Sequence, residues 1–273
     1  MRRIGRGIDR CHNRCGSARE GESGAARRID FAPTAGIHSL RGPVRWLAYM
    51  ASWLLAKLIL ALVARTCVLH RERTLLPGGW MLAANHISHF DPPFLGLACR
   101  RKLDWMTSQE FYRIPLLGLW MRTVGAFPVD RERPDRTAIR TALARLAAGR
   151  VVGMFPEGGI RDGVRSVLAG APLRPGLSAL AEMSGTPVIP CVVIGTDQLY
   201  APKMWLPFRR ARIWIGFGEP IPHAGHGKNA RAAFDAAFTK SIHELLGELK
   251  SRFGLSDEDL PQSANRRKRA SKK

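Results

Sequence analysis

Acidic residues are scarce in this chain of 273. Only 22 Asp and Glu stand against 43 Lys and Arg, leaving a formal charge of +21. That balance argues against cationic partners and favours anionic ones, whether nucleic acid, phospholipid headgroups or a phosphorylated substrate. The excess is not confined to the ends. Residues 1–40 hold eight Arg and four acids, the last dozen residues hold six Lys and Arg and no acid, and the stretch between them keeps +11. Cysteine is sparse as well: Cys11, Cys15, Cys67, Cys99 and Cys191 are odd in number and lack framework spacing. This argues against a disulfide scaffold and suits reduced thiols in a cytosol-facing protein. Cys11 and Cys15 have no second ligand pair near them, so their spacing does not make a zinc site.

Long apolar runs are few. Residues 1–40 contain no apolar segment of the kind a secretory signal requires, and Asp9, Glu20, Glu22 and Asp30 set them apart from acid-poor organellar presequences. They read as a disordered basic segment. The longest apolar stretch, WLAYMASWLLAKLILALV at 46–63, is interrupted by Ser52 and Lys57. A spanning helix needs about 20 apolar residues, and a Lys near its centre costs about 3 kcal/mol. The segment 41–70 is therefore expected as a helix lying in the membrane interface. Trp46, Tyr49 and Trp53 would anchor it, with Arg41, Arg45 and Arg65 drawn to anionic lipid. A buried core helix is the alternative.

From Leu75 onward apolar runs alternate with helical stretches. That pattern predicts an α/β fold, with a mainly parallel central sheet flanked by helices. Strands are expected at 80–84, 104–108, 151–155, 188–194 and 212–216, and helices at 136–148 and 177–184. Asp91-Pro92-Pro93 suits a helix start, with Asp as cap and Pro in the first turn. A final amphipathic helix over 230–250 carries Phe234, Phe238, Ile242, Leu245, Leu246 and Leu249 at helical spacing. The core domain is thus expected to cover 71–255, with 256–273 a solvated basic tail.

Three constellations carry chemistry. Asn85-His86-Ile87-Ser88-His89-Phe90-Asp91 follows the first strand. His suits a base near neutral pH, and a carboxylate on its other ring nitrogen fixes the tautomer and stabilises the imidazolium as a proton arrives. Taken alone the pair is weak evidence, and zinc held by His86, His89 and Asp91 is a competing reading, although no distant second ligand set stands out. The second constellation is Gly125-Ala126-Phe127-Pro128-Val129-Asp130-Arg131, with Arg133 close behind. Arg131 offers a donor fork suited to phosphate, and a surface Arg after a strand is the plain alternative. The third is Phe155-Pro156-Glu157-Gly158-Gly159-Ile160-Arg161-Asp162-Gly163. A carboxylate, paired glycines and an Arg at a strand's end suit an anion-binding loop, or simply a glycine-rich turn. Neither G-x-G-x-x-G nor a P-loop ending is present in it.

In this order, with Val188-Ile189-Pro190 downstream, the pieces resemble the glycerolipid acyltransferase family typified by bacterial 1-acylglycerol-3-phosphate acyltransferase. The resemblance covers residues 80 to 195, and the apolar helix before them fits that family's membrane-associated motif. It places the N-H-x4-D block on Asn85, His86 and Asp91 and the phosphate-binding Arg on Arg131. The family's third block, Phe-Pro-Glu-Gly-Thr-Arg-Ser, matches from Phe155 to Gly158 and then departs. Gly159-Ile160 replaces Thr, Arg161 falls one residue late, and Asp162 replaces Ser.

The resemblance implies transfer of an acyl group from acyl-CoA or acyl carrier protein, as co-substrate, to the hydroxyl of a lysophospholipid. The reaction would need no metal or other cofactor. His86 would be the base and Asp91 its orienter, while Asn85, Arg131, Glu157, Gly158, Gly159 and Arg161 would bind substrate. The expected partners are a lysophospholipid, the acyl donor and an anionic membrane surface, at the cytoplasmic face of a bacterial inner membrane, with no specific nucleic acid. Because the third block departs from the family, lyso-ornithine lipid or glycerol 3-phosphate stays open as acceptor. A non-catalytic basic lipid- or nucleic-acid-binding protein and a metal-dependent hydrolase are the rival classes.

Overall fold

The computed structural model describes residues 42–130, 132–133, 135–206, 210–223 and 225–270. The expected basic segment at 1–40, with Cys11 and Cys15, lies outside them, as does Arg131.

The described residues begin with α1 (Gly42–Val63), which leads directly into β1 (Ala64–Leu69). There follow β2 (Trp80–Ala84), α2 (Asp91–Ala98), β3 (Leu103–Ser108), α3 (Pro115–Thr123), β4 (Phe127–Val129), α4 (Arg136–Ala147) and β5 (Val151–Met154). The second half adds α5 (Leu177–Ser184), β6 (Val188–Ile194), β7 (Ala211–Phe217), α6 (Lys228–Phe253) and a short α7 (Ala264–Ala270).

Seven strands form one sheet in the order β1-β7-β6-β2-β5-β3-β4. Every pairing is parallel except β6 with β7. Helices cover both faces, so the central strands must be apolar on both sides, and this is why β2 and β6 read as continuous rather than alternating runs. All of β2 and β6 is buried. On one face Trp80, Leu82, Ile189, Val193, Ile213 and Ile215 pack with Phe94 and Leu95 of α2 and Leu60 of α1. Along the opposite face α4, α5 and α6 pack against one another and against β5, β6 and β7, with Phe234, Phe238, Ile242, Leu245 and Leu249 of α6 buried.

Several expectations are corrected. The segment 41–70 is not one helix: it turns to strand at Ala64, because residues 64–69 pair in register with β7 from Ala64↔Ala211 to Leu69↔Gly216. The α/β domain therefore starts at β1 rather than at residue 71. In α1, Tyr49 and Trp53 are half-buried on the same helical face as Ser52, Ala56, Leu60 and Val63. They pack toward the protein, with Lys102 above the Tyr49 ring at 4.1 Å. The outward residues are Trp46, Leu47, Leu54, Leu55, Leu58 and Leu62. None of the described helices is long and apolar enough to cross a membrane.

Residues 256–270 do not form a solvated tail. Asp259 is buried and accepts from Arg212 at 2.8 Å, and Arg267 reaches the fully buried Asp197 at 2.7 Å. A basic segment stays in water unless a buried carboxylate calls it inward, and here Asp197 does.

Candidate active site

The sheet order makes β2 the neighbour of both β5 and β6. The loops leaving the carboxyl ends of these three parallel strands therefore emerge side by side, at the edge of the sheet where open α/β folds form their crevices. They hold residues 85–90, 155–162 and 195–200.

His86 follows β2. Its Nδ1 lies 2.8 Å from Asp91 Oδ2, and the same oxygen accepts from the Ile87 and Ser88 N–H groups at 2.8 and 2.9 Å. Asp91 is not the helix cap expected from sequence. Phe90 is the N-cap and Asp91 the first residue of α2, with Pro92 and Pro93 completing the first turn. Its carboxylate turns back over the loop instead, so the tight turn 86–91 closes on the imidazole. The Nδ1 contact leaves Nε2 as the outward nitrogen, and no described residue hydrogen-bonds to it. The His86 ring stacks on Phe155 at 3.9 Å and 13°, and Phe155 stacks on Trp105 at 5.0 Å and 8°. Gly153 makes room for this stack, since a Cβ there would sit 2.7 Å from the Trp105 ring.

The third constellation is bound to the first. Glu157 Oε2 accepts from the His86 N–H at 2.6 Å, while Oε1 accepts from Ser166 Oγ at 2.8 Å and the Val167 N–H at 2.7 Å. Burial pushes this carboxyl above its usual range, and the Val167, His86 and Ser166 donors offset only part of that. The Arg161 N–H adds a bond to the His86 carbonyl at 2.8 Å. Glu157 is thus corrected from a substrate contact to a splice: both its oxygens are occupied by the protein. Asn85 is corrected likewise. It is fully buried, and its side chain pairs both ways with the Val193 backbone, at 2.9 and 2.8 Å, stitching the end of β2 to β6.

Gly158 has φ +69, and a Cβ there would meet Arg174 Cδ at 2.5 Å, whereas nothing lies near Gly159. The guanidinium of Arg161 has no hydrogen-bond or ion-pair partner among the described residues. Of the second constellation, Asp130 leaves edge strand β4 and its Oδ1 accepts from the Glu132 N–H at 2.9 Å. That strand stands three places from β2, about 14 Å across the same sheet edge.

Among the described residues no group of three or more His, Cys, Asp and Glu could hold a metal ion. His89 is exposed, with Nδ1 2.7 Å from the Tyr200 hydroxyl. Sequence reading did not single out Phe155 and Trp105 as supports for the imidazole, nor Thr196, whose hydroxyl donates to Asp91 Oδ1. Phe155 was visible inside its motif. Thr196 left no local signal, being 105 positions from its partner.

The comparisons with known proteins bear on the family and the fold. Residues 67–194 match the family described as Acyltransferase. The chain is 25% identical over 197 residues to the 1-acyl-sn-glycerol-3-phosphate acyltransferase of Bacillus subtilis, covering 72% of this chain and 94% of that protein. It is 30% identical over 144 residues to the protein of the same name from Streptococcus pneumoniae, covering 52% of this chain and 50% of the other. Among solved structures, the Thermotoga maritima 1-acyl-sn-glycerophosphate acyltransferase PlsC superposes with a TM-score of 0.56 at 19% identity, over 77% of this chain and 84% of the other. That last likeness carries the fold.

Proposed function

We propose that this chain is an O-acyltransferase of the PlsC-like glycerolipid family, and that it transfers a fatty acyl group to the free hydroxyl of 1-acylglycerol 3-phosphate. The acyl donor is an acyl-CoA or acyl carrier protein thioester, and the reaction needs no metal or other cofactor. The observation that carries this reading is the buried His86–Asp91 pair at 2.8 Å, with Nε2 turned outward.

In the proposed reaction His86 Nε2 removes the acceptor's hydroxyl proton while Asp91 steadies the imidazolium that forms. The acceptor oxygen attacks the thioester carbonyl, and the tetrahedral oxyanion is held by the backbone N–H groups of Gly159 and Ile160. As the intermediate collapses, the C–S bond breaks and His86 returns its proton to the leaving thiolate. The products are the diacylated lipid and the free thiol. Arg161, and Arg131 outside the described residues, supply charge for the acceptor phosphate, so that its hydroxyl meets the thioester in line. Gly159, with nothing near where a Cβ would stand, lets that phosphate approach the backbone. Among the described residues no serine hydroxyl or cysteine thiol hydrogen-bonds to the His86 ring, and in this reading attack is direct.

The reaction takes place at a membrane surface in this reading, at the cytoplasmic face of a bacterial inner membrane. The apolar outward face of α1 and the +21 charge support it. A lysolipid and a long acyl chain partition into the bilayer, and a basic protein is drawn to its anionic headgroups.

The test is an acyl-transfer assay on purified protein, with lipid products resolved by mass. His86→Ala is expected to lower kcat at least about a thousandfold, and Asp91→Ala to do nearly the same, both with an unchanged fold. Full turnover by the His86 variant ends the proposal. A panel of 1-acylglycerol 3-phosphate, lyso-ornithine lipid and glycerol 3-phosphate fixes the acceptor, with turnover expected on the first alone.

A further inference from the structure

We propose that Thr196 is a positioning residue for the catalytic pair, one that pins the Asp91 carboxylate through its hydroxyl so that the carboxylate can hold the His86 ring. The inference rests on the reading of His86 as the base.

Asp91 is fully buried, and its two oxygens are served unequally. Oδ2 takes His86 Nδ1 and the Ile87 and Ser88 N–H groups. Oδ1 has one partner among the described residues, the Thr196 hydroxyl. A carboxylate turns about a single bond, and on a fully buried side chain an undonated oxygen is costly. If Oδ1 loses its donor, the group turns to share the remaining donors, and Oδ2 leaves the plane of the imidazole. The Nδ1–H···Oδ2 bond matters most when His86 carries its second proton. The loss therefore falls on the transition state rather than on substrate binding.

Thr196 is itself held on several sides. Gly195 has φ +93, and a Cβ there would lie 2.0 Å from the Arg212 carbonyl oxygen, so the turn out of β6 requires glycine. Asp197, next in sequence, is fully buried and takes Arg267 Nε at 2.7 Å and the Gln262 N–H at 2.9 Å. The hydroxyl of Tyr200, at the end of the same turn, accepts from the His89 backbone N–H at 3.2 Å and lies 2.7 Å from His89 Nδ1. The 196–200 turn thus grips the catalytic loop at Asp91 and at His89. The segment after α6 grips the turn in its place.

The test compares Thr196→Val, which keeps shape and removes the hydroxyl, with Thr196→Ser, which keeps the hydroxyl and removes a methyl. Both are assayed as purified full-length protein with a long-chain acyl-CoA and 1-acylglycerol 3-phosphate, beside wild type and His86→Ala, with thermal melts on each. A lost hydrogen bond to a charged group corresponds to a kcat about tenfold lower or more for Thr196→Val. KM for the acceptor stays within about twofold of wild type, and Thr196→Ser recovers kcat to within about threefold. Wild-type kcat in Thr196→Val, beside an inactive His86→Ala, overturns this inference alone. So does a Thr196→Ser variant that melts like wild type yet is as slow as Thr196→Val. An active His86→Ala overturns the base assignment and this inference with it.

Discussion

His86 is held on three sides by groups that differ in kind. A carboxylate fixes one ring nitrogen, an aromatic ring covers one face, and Glu157 holds the main-chain N–H. Each removes a different freedom: tautomer, tilt and loop position. Motif reading recovers His86, Asp91 and Glu157 as residues, because they cluster within short segments. The roles of Asn85 and Glu157 were not legible. A polar side chain in a motif reads the same whether it faces substrate or backbone, and only burial separates the two. Glycines show a similar limit, since Gly195 carries no motif yet tolerates no side chain. Gly195→Ala is expected to destabilise the protein by about 3 kcal/mol, through a positive φ and a backbone clash together. Urea unfolding monitored by tryptophan fluorescence measures this, and a midpoint within error of wild type contradicts it.

Among the elements, strands and helices buried on one pattern throughout were the most legible. Helix 177–184 and strand 188–194 appear with the bounds expected from sequence, the helix set off by Gly176 and Gly185 and the strand by its short continuous apolar run. The ends of the molecule were less so. The apolar run 46–63 ends where the helix ends, at Val63, whereas the strand after it was not legible, since its pairing with β7 joins residues far apart in sequence. Residues 256–270 read as solvated because charge dominates their composition, while the acid that draws them in, Asp197, is distant in sequence and buried. Burial raises the Asp197 carboxyl above its usual range, and Arg267 opposes that rise. An acid whose folded value lies above its unfolded one binds protons more tightly when folded, so stability is lost as pH rises through the folded value. Arg267→Ala takes away the opposing charge and widens that window. We expect the variant to lose about 3 kcal/mol near neutral pH and clearly less near pH 5. Denaturant midpoints at the two pH values check it, and an equal loss at both removes Asp197 as the cause.

On the scale of the whole molecule, the apolar side chains left outside lie largely on two helices. Leu47, Leu54, Leu55, Leu58 and Leu62 of α1 are exposed, as are Leu116, Leu119 and Trp120 of α3. Trp120 Nε1 donates to Ser52 Oγ at 3.1 Å, which ties the two helices together. Apolar exposure on this scale marks a surface used for binding. With the proposed membrane location, Leu54→Asp combined with Leu58→Asp is expected to weaken partition onto anionic phospholipid vesicles by about a hundredfold or more. The α/β domain should be left folded. Flotation of the purified protein with vesicles reads the result, and unchanged flotation places the membrane contact elsewhere.

The amino-acid sequence by itself determined the layered α/β class, the positions of the central strands, the basic character and the short blocks that bear His86, Asp91 and Glu157. These depend on local periodicity, composition and neighbours in the chain. The tertiary structure alone decided that β2, β5 and β6 lie side by side, that Glu157 and Asn85 serve the backbone, and that Thr196 reaches Asp91 while Arg267 reaches Asp197. Those contacts join residues tens to more than a hundred positions apart. Strand order and burial bring them together, and no pattern within a short window of sequence encodes either.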